Sequence, residues 1–285
     1  MDSTPRGAAV TAEGLGVEGP RGWAFRGIGI DAGPGALIAI EGPSGSGRTC
    51  LLLALTGRMR ITAGHAEIAG ERLPKRMGAV RRFAAIAHVP GVTDLEPSLT
   101  VAEHLRERAL LQRRYDGSLR ALLRPRRERT AEARARIDRA MEAAGLDTDT
   151  LPKGPRTAVR DLERLESLRL SIALSLISEP RLLAVDDTDL KLSDADREHA
   201  WALLRSLADG GTTVVAVCSE APEDALVIST AGRADAAPDT EAADAAQGAQ
   251  DTAQDAQDTQ DAQDTPDEKS DEKGAADAFA ETGRA

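Results

Sequence analysis

Aromatic residues are scarce: three Phe, two Trp and one Tyr make up 2% of the 285-residue chain. Any core must therefore be built from Ala, Leu, Ile and Val. The apolar content of 41% is ample for one large domain or two small ones. Cysteine is nearly absent. Cys50 and Cys218 lie far apart and join no ligand-like cluster, and His65, His88, His104 and His199 have no metal-ligand spacing. A disulfide framework and a zinc site are thereby disfavoured, both cysteines are expected to be small buried hydrophobes, and a reducing compartment fits. No run approaches 18 uncharged apolar residues, so no segment is expected to span a bilayer. Residues 1–10 also lack the basic start and apolar run of a secretory signal. These absences predict a soluble intracellular protein.

The net charge of −11 is unevenly spread. Residues 234–285 hold 15 acidic residues against Lys269, Lys273 and Arg284, a net of −12, which leaves residues 1–233 near neutral at +1. Acidity therefore says little about what the body binds, and no nucleic-acid partner is expected. Residues 234–285 are biased to Ala, Asp, Gln and Thr, with Phe279 as their one large apolar side chain. Such a segment cannot bury enough surface to offset its ordering entropy and is predicted to be a disordered, solvated tail.

The body alternates strand and helix signals. Ala36-Leu-Ile-Ala-Ile40, Phe83-Ala-Ala-Ile-Ala-His-Val89, Leu182-Leu-Ala-Val185 and Thr212-Thr-Val-Val-Ala-Val-Cys218 are short apolar runs, as buried parallel strands are. Helical stretches between them, such as Thr49–Leu55 and Ala200–Arg205 with Trp201 as a packing residue, imply an α/β sheet covered on both faces. Between the second and third strands, residues 105–140 carry twelve Arg and five acids. Ile137, Ala140, Met141 and Ala144 fall on one helical face there. This part, about 92–165, is predicted to be a helical lobe inserted in the core, its Arg-rich side a solvated face.

The chemistry lies in the turn after the first strand. Gly42-Pro43-Ser44-Gly45-Ser46-Gly47-Arg48-Thr49 is one substitution from G-x-x-x-x-G-K-[ST]. Glycines at this spacing let backbone N–H groups turn inward around a phosphate, and the helix that follows, through Cys50, adds its positive dipole end. Thr49 would offer its hydroxyl to Mg²⁺. Leu182-Leu-Ala-Val-Asp186-Asp187 supplies the complement. An Asp at the end of a buried strand can hold Mg²⁺ through water, and the next acid can orient the attacking water. Taken alone, the two acids would be a polar turn. Downstream of a phosphate loop they read as a metal and water site.

With these motifs the chain resembles the ATP-binding cassette subunits of ABC transporters. Glu41–Thr49, His88-Val-Pro-Gly91, Ser98-Leu-Thr-Val-Ala-Glu-His-Leu105, Ser178-Glu-Pro-Arg-Leu-Leu-Ala-Val-Asp-Asp187 and Val214–Glu220 occur in that family's order, over residues 10–233. The resemblance implies a P-loop NTPase core with an ABC-type helical subdomain, ATP and Mg²⁺ as ligands, and a separate integral-membrane permease. It also implies pairing with a second cassette, as homodimer or heterodimer, and a cytoplasmic location at the inner face of a membrane. A soluble nucleotide kinase would share the loop but not the Ser98–Leu105 and Ser178–Leu183 matches.

Five positions depart from the family pattern. Arg48 replaces the loop lysine, a planar fork in place of a compact ammonium. Gly91 replaces a glutamine that reports γ-phosphate and Mg²⁺ to the permease. The signature L-S-G-G-Q falls on Leu162-Glu-Arg-Leu-Glu166, which places two carboxylates where a partner's γ-phosphate would sit. Asp187 stands for the catalytic glutamate, and Ser219 for the switch histidine. Trp23 is the aromatic available for adenine stacking, out of the usual register. Loss of one positioned catalytic group typically costs about 10²–10⁴-fold in rate, so fast hydrolysis is not expected, while the remaining loop predicts weak Mg-nucleotide binding. Two readings follow: a weakly binding transporter subunit, or a pseudo-ATPase that serves as scaffold or regulator of a membrane partner.

Overall fold

The computed structural model describes residues 6–115 and 126–231. The acidic segment 234–285 and the middle of the Arg-rich stretch lie outside the described residues. Nine strands form two sheets among those described. Strands β3 (Leu37–Glu41), β6 (Ala84–His88), β7 (Leu182–Val185), β8 (Thr213–Val217) and β9 (Leu226–Ser229) form a parallel sheet in the order β6-β7-β8-β3-β9. Strands β1 (Val10–Gly19), β2 (Gly22–Ala32), β4 (Ala63–Ile68) and β5 (Glu71–Leu73) form an antiparallel one, ordered β2-β1-β4-β5. The helices are α1 (Arg48–Leu55), α2 (Met77–Phe83), α3 (Val101–Tyr115), α4 (Arg126–Ala143), α5 (Arg164–Leu176) and α6 (Asp194–Asp209).

The parallel strands lack polar alternation because both of their faces are buried. Ile38, Ile40, Leu182, Ala184, Val215 and Val217 turn to one apolar cluster, with Leu51, Leu52 and Leu55 of α1 and Leu15, Ile28 and Ile30 of the antiparallel sheet. Leu37, Ala39, Leu183, Val185, Val214 and Ala216 turn to the other, against Val101 of α3, Ala140 of α4, Ile172 of α5 and Trp201 and Leu204 of α6. The helical face read at residues 137–144 packs there: Ala140 and Ala144 are buried, and Ile137 and Met141 are half-buried against the same cluster. Trp201 is buried as a packing residue.

The four sequence-derived strands are present at almost their expected positions. Phe83 is the exception: it closes α2, and the Arg181 guanidinium sits 5.4 Å from its ring centroid. The antiparallel sheet and β9 were not foreseen. Gly14, Gly16, Gly27 and Gly29 interrupt β1 and β2, and register shifts between Ala12 and Glu18 break the period-two signal by which a strand is read. Helices α3 and α4 and three 3₁₀ turns (Thr148–Thr150, Gly154–Arg156, Val159–Asp161) occupy the interval between β6 and α5. No helix among the described residues is long and apolar enough to cross a membrane.

Candidate nucleotide site

Because β3, β6, β7 and β8 run parallel, the loops that follow them gather at one edge of the sheet, where ligands of such sheets bind. Residues 42–47 form the loop after β3. Gly42 has φ +152°, and a Cβ there would lie 2.3 Å from Thr230 Oγ1 and 2.7 Å from Ser46 Oγ, so only glycine fits. Gly47, with φ +82°, presses against the Ala24 carbonyl, 2.1 Å from where a Cβ would stand. These two contacts pin the ends of the loop between β9, β2 and α1. Ser46 is buried and shares a 2.5 Å hydroxyl contact with Thr230, and its N–H closes a turn on the Pro43 carbonyl at 3.2 Å. Pro43, Ser44 and Gly45 form the exposed crest, where a Cβ on Gly45 would meet nothing within 4 Å.

Helix α1 begins at Gly47 with no side-chain cap and no acid in its first turn. Its leading amides therefore face outward without an internal acceptor, the arrangement that binds an anion. Thr49 stands in that first turn, and its hydroxyl donates to Asp186 Oδ2 at 2.7 Å. The other Asp186 oxygen accepts the Asp187 N–H at 3.0 Å. Asp186 is almost fully buried, and burial pushes its carboxyl above the ordinary range, as does the charge of Asp187. The Thr49 hydroxyl, the Asp187 amide and Arg48 pull it down. Asp187 is half-exposed and left-handed, at φ +48°, a strained setting for a non-glycine residue. A buried carboxylate paired with a threonine hydroxyl at an uncapped helix start is the donor set that suits Mg²⁺ beside a phosphate. The metal would supply charge neutralisation there, with Thr49 and Asp186 its holders. No group of three or more His, Cys, Asp or Glu among the described residues could hold a metal unaided.

The departures from the family pattern occupy definite places. The Arg48 side chain reaches the end of β8, where its Nη1 donates to the Cys218 carbonyl at 2.7 Å. Ser219 is exposed, and its backbone N–H donates to Asp189 Oδ2 at 2.7 Å. Gly91 is exposed with φ +73°, its N–H held by Asp94 Oδ2 at 2.9 Å. Cys50 is half-buried and Cys218 buried. Burial raises both thiols, Cys218 to about 12 with help from Asp189 and Glu41, so neither is a thiolate at neutral pH. Trp23 lies on β2 next to Ala24, its ring 2.9 Å from where a Gly16 Cβ would stand.

Glu163 and Glu166 close on one helix end. Glu163 is the N-cap of α5, and the two side chains form a reciprocal capping box, Glu166 accepting the Glu163 N–H at 2.8 Å. The α5 start is thus satisfied by the chain's own carboxylates, where α1 is bare. Arg164 lies 3.3 Å from His88 Nε2 at the end of β6. Burial, and then Arg164, hold His88 below its ordinary value, against Asp187 and Asp94. Sequence reasoning assigned nothing to His88, Arg164 or Asp189. His88 and Arg164 lie inside motifs quoted for other residues, and Arg164 meets His88, as Asp189 meets Ser219, only through the strand order β6-β7-β8.

A bare helix start beside a buried carboxylate, at the carboxyl edge of a parallel sheet, defines a P-loop nucleotide-binding fold. The sequence profile described as ABC transporter matches residues 25–189, more than half of the chain. The chain belongs to the ABC transporter family. It is similar to Nod factor export ATP-binding protein I of Paraburkholderia xenovorans, 29% identical over 189 residues that cover 66% of this chain and 55% of the relative. It is also similar to ribose import ATP-binding protein RbsA 1 of Burkholderia ambifaria, 30% identical over 64% of this chain and 33% of the relative. The chain thus spans about half the length, or less, of these curated relatives. Its fold is that of cbiO1 from Clostridium perfringens, part of the ABC transporter complex cbiONQ, at TM-score 0.59 and 19% identity over 75% of this chain and 79% of the other. A dimeric, post-hydrolysis ATP-binding cassette bound to ADP and Pi has the same fold, at TM-score 0.57 and 22% identity over 74% and 88%.

Proposed function

We propose that this chain is the ATP-binding subunit of an ABC-type transporter complex, that it binds Mg-ATP weakly through a variant phosphate loop, and that it hydrolyses ATP slowly or not at all. One observation carries the binding half: the Thr49–Asp186 pair at 2.7 Å beside the uncapped start of α1. The hydrolytic half rests on what surrounds it. Arg48 is drawn to Cys218, Asp187 is one methylene short, and Gly91 and Ser219 offer no side chain of the family's kind. The proposed partners are a separate integral-membrane permease, docked on the helical lobe about 92–165 near Gly91 and residues 105–115, and a second cassette, as homodimer or heterodimer. The complex is placed at the cytoplasmic face of a membrane.

Equilibrium binding of Mg-ATP and Mg-ADP to the purified chain tests this reading, with Thr49→Ala as the control. Wild type is expected to bind both, and the variant to bind about tenfold or more weakly, the worth of a charge-assisted contact. Absence of binding at millimolar nucleotide would overturn it in favour of the second reading, a pseudo-ATPase scaffold. The capping box at α5 favours that alternative, because carboxylates stand where the family receives a partner's phosphate.

A further inference from the structure

We infer that Arg48 gates the γ-phosphate: the site takes a nucleoside diphosphate with Arg48 on the Cys218 carbonyl, and a triphosphate only after Arg48 has left it. The inference rests on the nucleotide-binding reading above and adds the selectivity of that same site. In a loop of this spacing, the cation at this position is the one that reaches the β- and γ-phosphates. In this chain its Nη1 donates at 2.7 Å to a backbone oxygen instead.

That acceptor is firmly held. The Cys218 N–H donates to the Ile40 carbonyl at 3.0 Å, which ties the end of β8 to β3. The adjoining residues are tied to the loop after β7: Thr188 Oγ1 donates to the Val217 carbonyl at 2.8 Å, and Asp189 accepts the Ser219 N–H at 2.7 Å. Thr188 and Asp189 are themselves buried. Arg48 is therefore docked on a fixed anchor, and its departure leaves that carbonyl without its charged donor.

The two ends of a nucleotide's phosphate chain are affected unequally. The first phosphates meet the bare amides of α1, which do not depend on where Arg48 points. The terminal phosphate of ATP adds negative charge to a site that already holds Asp186 and Asp187, while Arg48, the loop cation that draws Asp186 down, is bonded to the Cys218 carbonyl. Beyond the Mg²⁺ that enters with the nucleotide, it gains this loop's own cation only by taking Arg48 from Cys218. A lysine at the same position keeps the charge as a compact ammonium in place of the broad guanidinium, so Arg48→Lys changes the reach and shape of this contact without removing the cation.

The test measures the affinities of Mg-ADP and Mg-ATP for the full chain and for Arg48→Lys by titration calorimetry, with hydrogen exchange followed at residues 217–221. Wild type is expected to bind Mg-ADP at least as tightly as Mg-ATP. Mg-ATP, but not Mg-ADP, is expected to speed exchange at residues 219–221. Arg48→Lys should move the preference about tenfold toward ATP, the scale of one charged hydrogen bond. If wild type binds Mg-ATP about tenfold more tightly than Mg-ADP, or if exchange at residues 219–221 responds alike to both, the gate is wrong and the nucleotide site stands. If folded wild type binds neither nucleotide, the site reading fails and the gate fails with it.

Discussion

Asp186 sets the balance at the residue scale, because its carboxylate is nearly inaccessible yet must be charged to hold a cation. Burial raises its pKa, so the folded state prefers the protonated form. The stability this group contributes is fully present below its unfolded value, about 3.9, and is lost as pH rises through the folded value. Above that folded value the nucleotide-free protein carries the cost of a buried charge. Asp186→Asn removes that cost while the Thr49 hydroxyl keeps a polar neighbour. We expect the variant to raise the nucleotide-free Tm by ~2–4 °C, the shift that about 1 kcal/mol gives a domain of this size, and to abolish the Mg²⁺ dependence of nucleotide binding. Thermal scans with and without Mg-nucleotide check both. A Tm lowered by the same amount would mean that the hydrogen bond outweighs the burial.

At the scale of elements, the helix starts divide the labour. Helix α1 leaves its first amides open, α5 closes its own with Glu163 and Glu166, and α6 closes its own with Ser193, whose hydroxyl accepts the Asp196 N–H at 3.2 Å. An open start costs local stability and makes a phosphate site; a closed one gains stability and refuses phosphate. Alanine at Glu163 and Glu166 together should cost about 1 kcal/mol and lower Tm by ~2–4 °C. Calorimetry of the double variant decides it, and an unchanged Tm would remove the energetic role assigned to the box.

For the whole molecule, the two apolar clusters pack on opposite faces of the parallel sheet whose carboxyl edge carries the altered side chains. Catalytic groups act as a unit, and several altered together do not multiply their effects. Turnover by the purified chain should fall far below about ten per second, the ordinary enzyme range. Analytical ultracentrifugation with Mg-ATP separates the two readings: homodimer formation driven by Mg-ATP would sink the pseudo-ATPase scaffold, in which Glu163 and Glu166 keep nucleotide out of the interface. ATP turnover near that ordinary rate, lost in Asp187→Asn, would refute the impaired reading.

Four of the five strands of the parallel sheet (β3, β6, β7 and β8), the loop at residues 42–49 and the Asp186-Asp187 pair were legible in the sequence because each is a local pattern: an apolar run, a glycine spacing, an acid at a strand end. The antiparallel sheet was not, since its glycines and register shifts erase the alternation that marks a strand. Nor were the contacts that give the site its character. Thr49 and Asp186 were read as residues of one Mg²⁺ site, but their direct bond across 137 residues was not foreseen, nor were the bonds of Arg48 to Cys218 across 170 and of Arg164 to His88 across 76. Sequence alone determined which chemical groups the chain carries and that a helix starts after a glycine-rich turn, because those depend on neighbours along the chain. Only the tertiary structure decided that Arg48 reaches the Cys218 carbonyl and that Arg164 reaches His88. Those outcomes depend on which strand ends and helix starts lie side by side, and that is set by packing on both faces of the sheet.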